Sequence, residues 1–450
     1  MEKNRIREPV KGEAFASVEQ VNDLELSPGD QVLFKRGQIH YGVMILNHSG
    51  SSAENIYFSD YGSGHLPVIK SHDGGPNSNE STIYLYNADH VTFQNLNIQG
   101  GLFALSISNS DYVTIQGCRV GEQSHAGILA TAKYSEGDGS DYGVLQHCLV
   151  YSGKSGNLGD GQSTDGINLN DGASYWNIRN NEFKAWAHSA VSIKQISNLA
   201  ENNYNTVESN LFTCGDIDYM RALDISGGDH LCEFNTFRYN VVRNQSVTSH
   251  VHGNNNIVAY NLMLGLTESD ATEQPWAFDF YCIINKSGNP DRDKLVCYNN
   301  VIANNLVYNY STGQGVRVLK SKSSAAYEVH DNTVVNNIFY NVQTAFQSDE
   351  EPNNNSFTNN LMYIPGGTPN FIYNYQNYTL AEFEDLNGVQ GNVFENNLVD
   401  NPAFTSETSE MFQLLANSVA IDAGIDVSEA QDFDGNPIVG LPDIGPFEGQ

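Results

Sequence analysis

The chain is 450 residues long and strongly acidic: 22 Lys and Arg face 53 Asp and Glu, for a formal charge of −31, with 40% hydrophobic residues. That balance excludes a nucleic-acid-binding surface, which needs basic side chains to meet phosphates. No apolar run reaches the roughly 18 residues that a membrane-crossing helix requires.

Residues 1–25 are charged, lack the apolar centre of a signal peptide, and read as a leader or cap. A long acidic β-coil suits a secreted or periplasmic protein whose signal is removed, kept dispersed as a monomer by its charge. Pro28-Gly29 turns into a strand within Leu26–Gly37, and Asn55–Ser59 and Leu66–Ile69 are further β runs between Gly-rich turns. Residues 1–82 are therefore expected to form an N-terminal cap and the first coils.

From residue 83 a repeat is plain. A four-residue motif begins at Asn95, Gly117, His147, Asn180, Ser209, Tyr239, Tyr260, Asn304, Asn336, Asn359 and Asn396, at steps of 21 to 44 residues. Its second position is Leu96, Cys118, Cys148, then Asn eight times, from Asn181 to Asn397. Periods in this range on β patterns mean a solenoid whose units stack freely beyond the usual domain ceiling. The expected fold is all-β, a right-handed parallel β-helix of about 11–13 coils with capped ends, its body spanning residues 83–404. One Asn per coil would form a column ~4.8 Å apart, its amides satisfying turn backbone groups. Cys118 and Cys148 share this column and read as stacked thiols; the six cysteines show no CxxC spacing, so no zinc site is expected. Residues 405–450 break the period and are assigned to a C-terminal cap, since an open strand edge needs cover.

The chemistry gathers between Ser163 and Asn256. The strands Gly166–Asn170, Ala190–Lys194, Ala222–Ser226 and Ser249–His252 would alternate inward and outward residues. The outward set is read as a Gly/Ala floor of Gly166, Ala190 and Ala222 beside Asp165, Asn168, His188, Lys194, Tyr219, Arg221, Asp224, His250 and His252. In a chain with only 22 Lys and Arg this convergence stands out. It suits β-elimination from a uronate: Arg221 clamps the sugar carboxylate, Lys194 or a His removes the adjacent proton, and His188, Tyr219 or His250 protonates the departing oxygen. Asp165, Asn168, Asp224 and His252 would bind substrate. Bland readings compete: Asp165 in Thr164-Asp165-Gly166 is a favoured turn residue, and single histidines are more often structural. His125 and Asp141 are weaker candidates. Loops 136–141 and 160–165, with Asp432 and Asp434, are the places where calcium, the one candidate cofactor, would bind; no metal ligand is assigned.

Residues 28–37, the Asn-Asn rungs and the segments Ala420–Gly424 and Asp443–Phe447 resemble the pectate-lyase-like superfamily of right-handed parallel β-helices. Within it, Val191-Ser192-Ile193-Lys194 followed by Arg221 is similar to the alginate lyase and chondroitinase B family. That resemblance implies a Lys base, an Arg on the next coil and a calcium ion neutralising the carboxylate. The family's acidic calcium ligands lie five and seven residues before the Lys; here those positions are Ser189 and Ala187, so Arg221 and the histidines would take over neutralisation. Thr164-Asp165-Gly166-Ile167 is also similar to a polygalacturonase segment, but Ala187-His188 replaces that family's Asp pair. The expected function is thus a lyase acting on an acidic, alginate-like polysaccharide. The alternatives are a glycoside hydrolase using two of Asp165, Asp216, Asp218, Asp224 and Asp279, and a non-catalytic carbohydrate-binding coil.

Overall fold

The structure is a computed structural model that describes residues 18–71, 81–132, 139–151, 164–184, 188–194, 201–213, 221–226, 232–245, 248–265, 276–281, 296–310, 314–319, 328–348, 353–407 and 411–449. The chain folds as a parallel β-helix in which every coil gives one short strand to each of three sheets. It divides into two compact units, residues 1–206 with 215–220, and residues 207–214 with 221–450.

In unit 1 the first sheet runs from Gln31–Lys35 to Asn177–Arg179 and the second from Ile39–Tyr41 to Glu182–Lys184. The third contains Met44–Leu46, Ile83–Tyr86, Phe103–Ser108, Ala126–Thr131, Asp165–Asn170 and Ser189–Lys194. Unit 2 repeats the pattern, its second sheet passing through seven strands from Leu211–Thr213 to Leu398–Val399. Its third sheet holds Arg221–Ser226, Ser249–Val251, Trp276–Tyr281, Gln314–Leu319, Thr344–Ser348 and Asn370–Tyr373.

Parallel register stacks like on like inside the coil. In unit 1, Ile69, Ile98, Val120, Val150 and Phe183 are successive partners, and none is measurably exposed. In unit 2, Phe212, Val242, Met263, Val307, Phe339 and Met362 form the matching column. Burying such side chains contributes about 1.5–3 kcal/mol each.

The turns explain the repeated motif. Its first residue adopts a left-handed conformation in every copy, from Asn95 (φ 56°) to Asn396 (φ 58°), a region where Asn is tolerated better than most residues. Its second residue is the ladder. In unit 2 the backbone N–H of Asn210, Asn240, Asn261, Asn305, Asn337 and Asn360 each donates to the side-chain oxygen of the next Asn at 2.9–3.1 Å. In unit 1 the free thiols of Cys118 and Cys148 occupy the same column, with the Cys118 N–H donating to Cys148 Sγ. A second ladder, absent from the sequence reading, joins Asn235, Asn256, Asn300, Asn332, Asn355 and Asn392 in the same way. Each member precedes its partner in the first ladder by five positions, from Asn235/Asn240 to Asn392/Asn397.

In unit 1 the residue before the corresponding turn position is aromatic. His90, Tyr112, Tyr142, Tyr175 and Tyr204 all have φ between 56° and 60°, and their rings stack at 4.6–5.1 Å, nearly parallel.

The covering of unit 2 differs from the expected arrangement. The helix Leu380–Glu384, begun by a Thr379/Glu382 capping box, buries Phe383 against Phe346, Phe371 and Phe394. Glu384 Oε1 accepts the Asn397 N–H at 2.9 Å, so a carboxylate closes the ladder where a further Asn would stand. The C-terminal segment lies instead along the flank of the coils: Phe412, Ala420, Ile444 and Phe447 pack on Leu306, Ile338 and Leu361. Asn304 and Asn336 amides donate to carbonyls of Asp443, Gly445 and Ile425. Asp432 accepts from the Asn436 and Glu448 backbones, as in turn chemistry.

Candidate active site

The third sheet carries the titratable side chains, and each unit has its own group. In unit 1 the register pairs Asn168 with Ser192 and Asn170 with Lys194, as the alternation predicted. The proposed floor fails, however. A Cβ added at Gly166 would meet Phe183 and the Ala190 carbonyl, and one at Gly127 would meet Val120 and Val150. These small residues face the core at a tight corner, where anything larger clashes, so they are not an outward floor.

Asp165 begins its strand and points across to the next coil. Its Oδ1 lies 2.8 Å from His188 Nδ1 and accepts the Ser189 N–H at 2.9 Å. A carboxylate oxygen facing Nδ1 favours the tautomer with its proton on Nδ1, which leaves Nε2 for other partners. His125, one coil earlier, has its pKa lowered first by burial; the nearby Asp165 charge opposes this, and Lys194 and His188 reinforce it. The four groups thus share one electrostatic neighbourhood. Asn168 Oδ1, Asn170 Oδ1 and Ser192 Oγ lie on the same sheet, buried and without hydrogen-bond partners, a pattern that clusters at functional sites.

In unit 2 one column alternates in sign: Asp224 is partnered by His250, His250 by Asp279, and Asp279 by Arg317. Asp279 is fully buried. Its Oδ1 lies 2.6 Å from His250 Nδ1 and 3.2 Å from His252 Nε2, while Oδ2 accepts from Arg317 Nη2 at 2.8 Å. Burial alone would raise the Asp279 pKa, but the His250 charge and the imidazole hydrogen bonds outweigh it and hold the carboxyl well below its usual range. Burial lowers the His252 pKa, with His250 adding to the effect. Arg317 also sits over the Trp276 ring at 5.4 Å. Arg221 is drawn onto Asp224 (3.6 Å), whose Oδ1 accepts from Ser226 Oγ at 2.6 Å.

The expectation of an open positive cluster is therefore met unevenly. Lys194 and His188 are partly exposed, whereas Arg221 and His252 are buried by the carboxylates that hold them. Tyr219, Asp216, Asp218 and Ala187 lie outside the described residues. Asp141 accepts the Ser174 N–H in a turn, and Ser189 is fully buried beside His188. With Ser189 so committed, and with no acidic residue at either position, the calcium site implied by the resemblance does not fit this chain. Arg317 and Trp276 were missed, although the alternation of Trp276–Tyr281 and Gln314–Leu319 put Asp279 and Arg317 on one face.

No family model and no curated protein matches the sequence. Solved structures do. The chain is similar to the pectate lyase Pel9A, with 13% identity, TM-score 0.50, and 95% of this chain and 89% of that one covered. It is similar to a mannuronic-acid-specific family 6 polysaccharide lyase from human gut microbiota, with 13% identity, TM-score 0.54, and 88% and 86% covered. It is also similar to a GH136 lacto-N-biosidase from Eubacterium ramulus, with 14% identity and TM-score 0.50, spanning 87% of this chain and 65% of that one. At this identity the likeness establishes the fold alone: the protein is a right-handed parallel β-helix.

Proposed function

We propose that the protein is a polysaccharide lyase that cleaves an acidic, uronate-containing, alginate-like polymer by β-elimination. The fold hosts elimination and hydrolysis alike, so the site must decide. The observation that carries the reading is the unit 1 group: an amine and two imidazoles share one neighbourhood, and its carboxylate, Asp165, is already committed to His188 and the Ser189 N–H.

Lys194 takes the proton from the carbon beside the sugar carboxylate, electrons move to form the ring double bond, and the C–O bond to the leaving sugar breaks. His188, held by Asp165, returns a proton to the departing oxygen through Nε2. A hydrolase would pair a protonated carboxylic acid with an ionised one, and Asp279, whose pKa is held well below its usual range, does not suit the acid's part.

The test is ultraviolet absorbance from the conjugated unsaturated uronate on incubation with alginate, pectate or a glycosaminoglycan. Lys194→Ala should lower the rate by ~10²–10⁴-fold, as expected for loss of a general base. Reducing ends without absorbance would mean hydrolysis, and unchanged turnover in Lys194→Ala would remove the base.

A further inference from the structure

We propose that His250, His252 and Asp279 form a binding site for one divalent transition-metal ion of the zinc, cobalt, nickel or manganese class. Among the described residues these three form a group whose ligand-type atoms, two imidazole nitrogens and a carboxylate oxygen, all lie within 4.8 Å of one another.

The local structure dictates this convergence. His250 lies on the strand Ser249–Val251 and His252 directly follows it, two residues on, with the rings 4.6 Å apart. Parallel register then sets Asp279 on the next rung directly beside His250. Both imidazoles address a single oxygen, Asp279 Oδ1, at 2.6 and 3.2 Å. An ion with bonds of roughly 2.0–2.2 Å would take the place of these hydrogen-bonding contacts after small side-chain rotations.

The other oxygen is accounted for separately. A carboxylate that ligates through one oxygen needs a donor on the second, and Arg317 supplies it at 2.8 Å while resting on Trp276. Two nitrogens and one oxygen favour borderline metals over calcium or magnesium, which take oxygen ligands. Three protein ligands leave coordination positions for an exogenous oxygen. Occupancy of the site does not depend on the proposed lyase reading.

The test uses the full chain, stripped with EDTA and titrated calorimetrically with Zn2+, Co2+ and Ca2+. One Zn2+ or Co2+ per chain, with Ca2+ bound far more weakly, is expected. His252→Ala should weaken binding by more than about tenfold, and Arg317→Met, which keeps all three ligands, by roughly 10–100-fold. No stoichiometric uptake by the wild type, equal preference for Ca2+, or unchanged affinity in folded His252→Ala would overturn the site. Metal uptake without elimination products keeps the site and removes the lyase reading. EDTA-resistant elimination in a chain that takes up no metal does the reverse.

Discussion

Asn305 shows how much a single side chain does in this fold. Its Oδ1 accepts from the backbone and side chain of Asn261, and its Nδ2 donates to Val258, Ala303 and Asn337. Asn305→Ala strands several buried groups at about 1–3 kcal/mol each, so a fall in unfolding free energy of several kcal/mol is expected in urea titration. A change under ~0.5 kcal/mol would show the ladder to be ornamental rather than structural. Chemistry at this scale was only half legible. His188, His250 and Asp165 were visible as outward residues near strand starts. The burial of Arg221 and His252 was not, because it depends on which carboxylate each one meets, and pairing across coils is set by register rather than by local spacing.

At the scale of elements, strands were the readable part. The strands expected at Gly166–Asn170, Ala190–Lys194 and Ala222–Ser226 each begin one residue earlier in the structure. Corners were harder, since a bend turns a residue inward without any change in hydropathy, as at Gly166. The second Asn ladder was available as a constant offset of five from the first, a signal hidden because its flanking residues vary. The aromatic stack gives a sharp prediction. Tyr142 combines a left-handed φ of 58° with ring contacts to Tyr112 and Tyr175. Tyr142→Ala and Tyr142→Gly both lose stacking of about 0.5–1.5 kcal/mol per pair, but Gly also escapes the left-handed penalty of roughly 1–2 kcal/mol. Thermal melts should therefore rank wild type above Gly, and Gly above Ala. Equal melting of the two variants would mean that the backbone there is unstrained.

For the molecule as a whole, the repeat forecast the solenoid, but the irregular C-terminal segment gave no clue to where it would lie. Its covering of Leu306, Ile338 and Leu361 rests on a few apolar anchors. Ile444, fully buried, is one of them. Ile444→Ala should cost about 2–5 kcal/mol and expose residues 411–449 to protease before the coils yield. Simultaneous loss of both would mean that the segment and unit 2 unfold as one. Polarity along the ladder has a different meaning for assembly. Every rung reaches forward for an oxygen, so the final rung of unit 2 would seek one from any neighbour that offered it. Glu384 is a stopper: with the helix that carries it removed, an unfinished rim could recruit a second copy, and a self-limiting molecule would become the seed of a fibre.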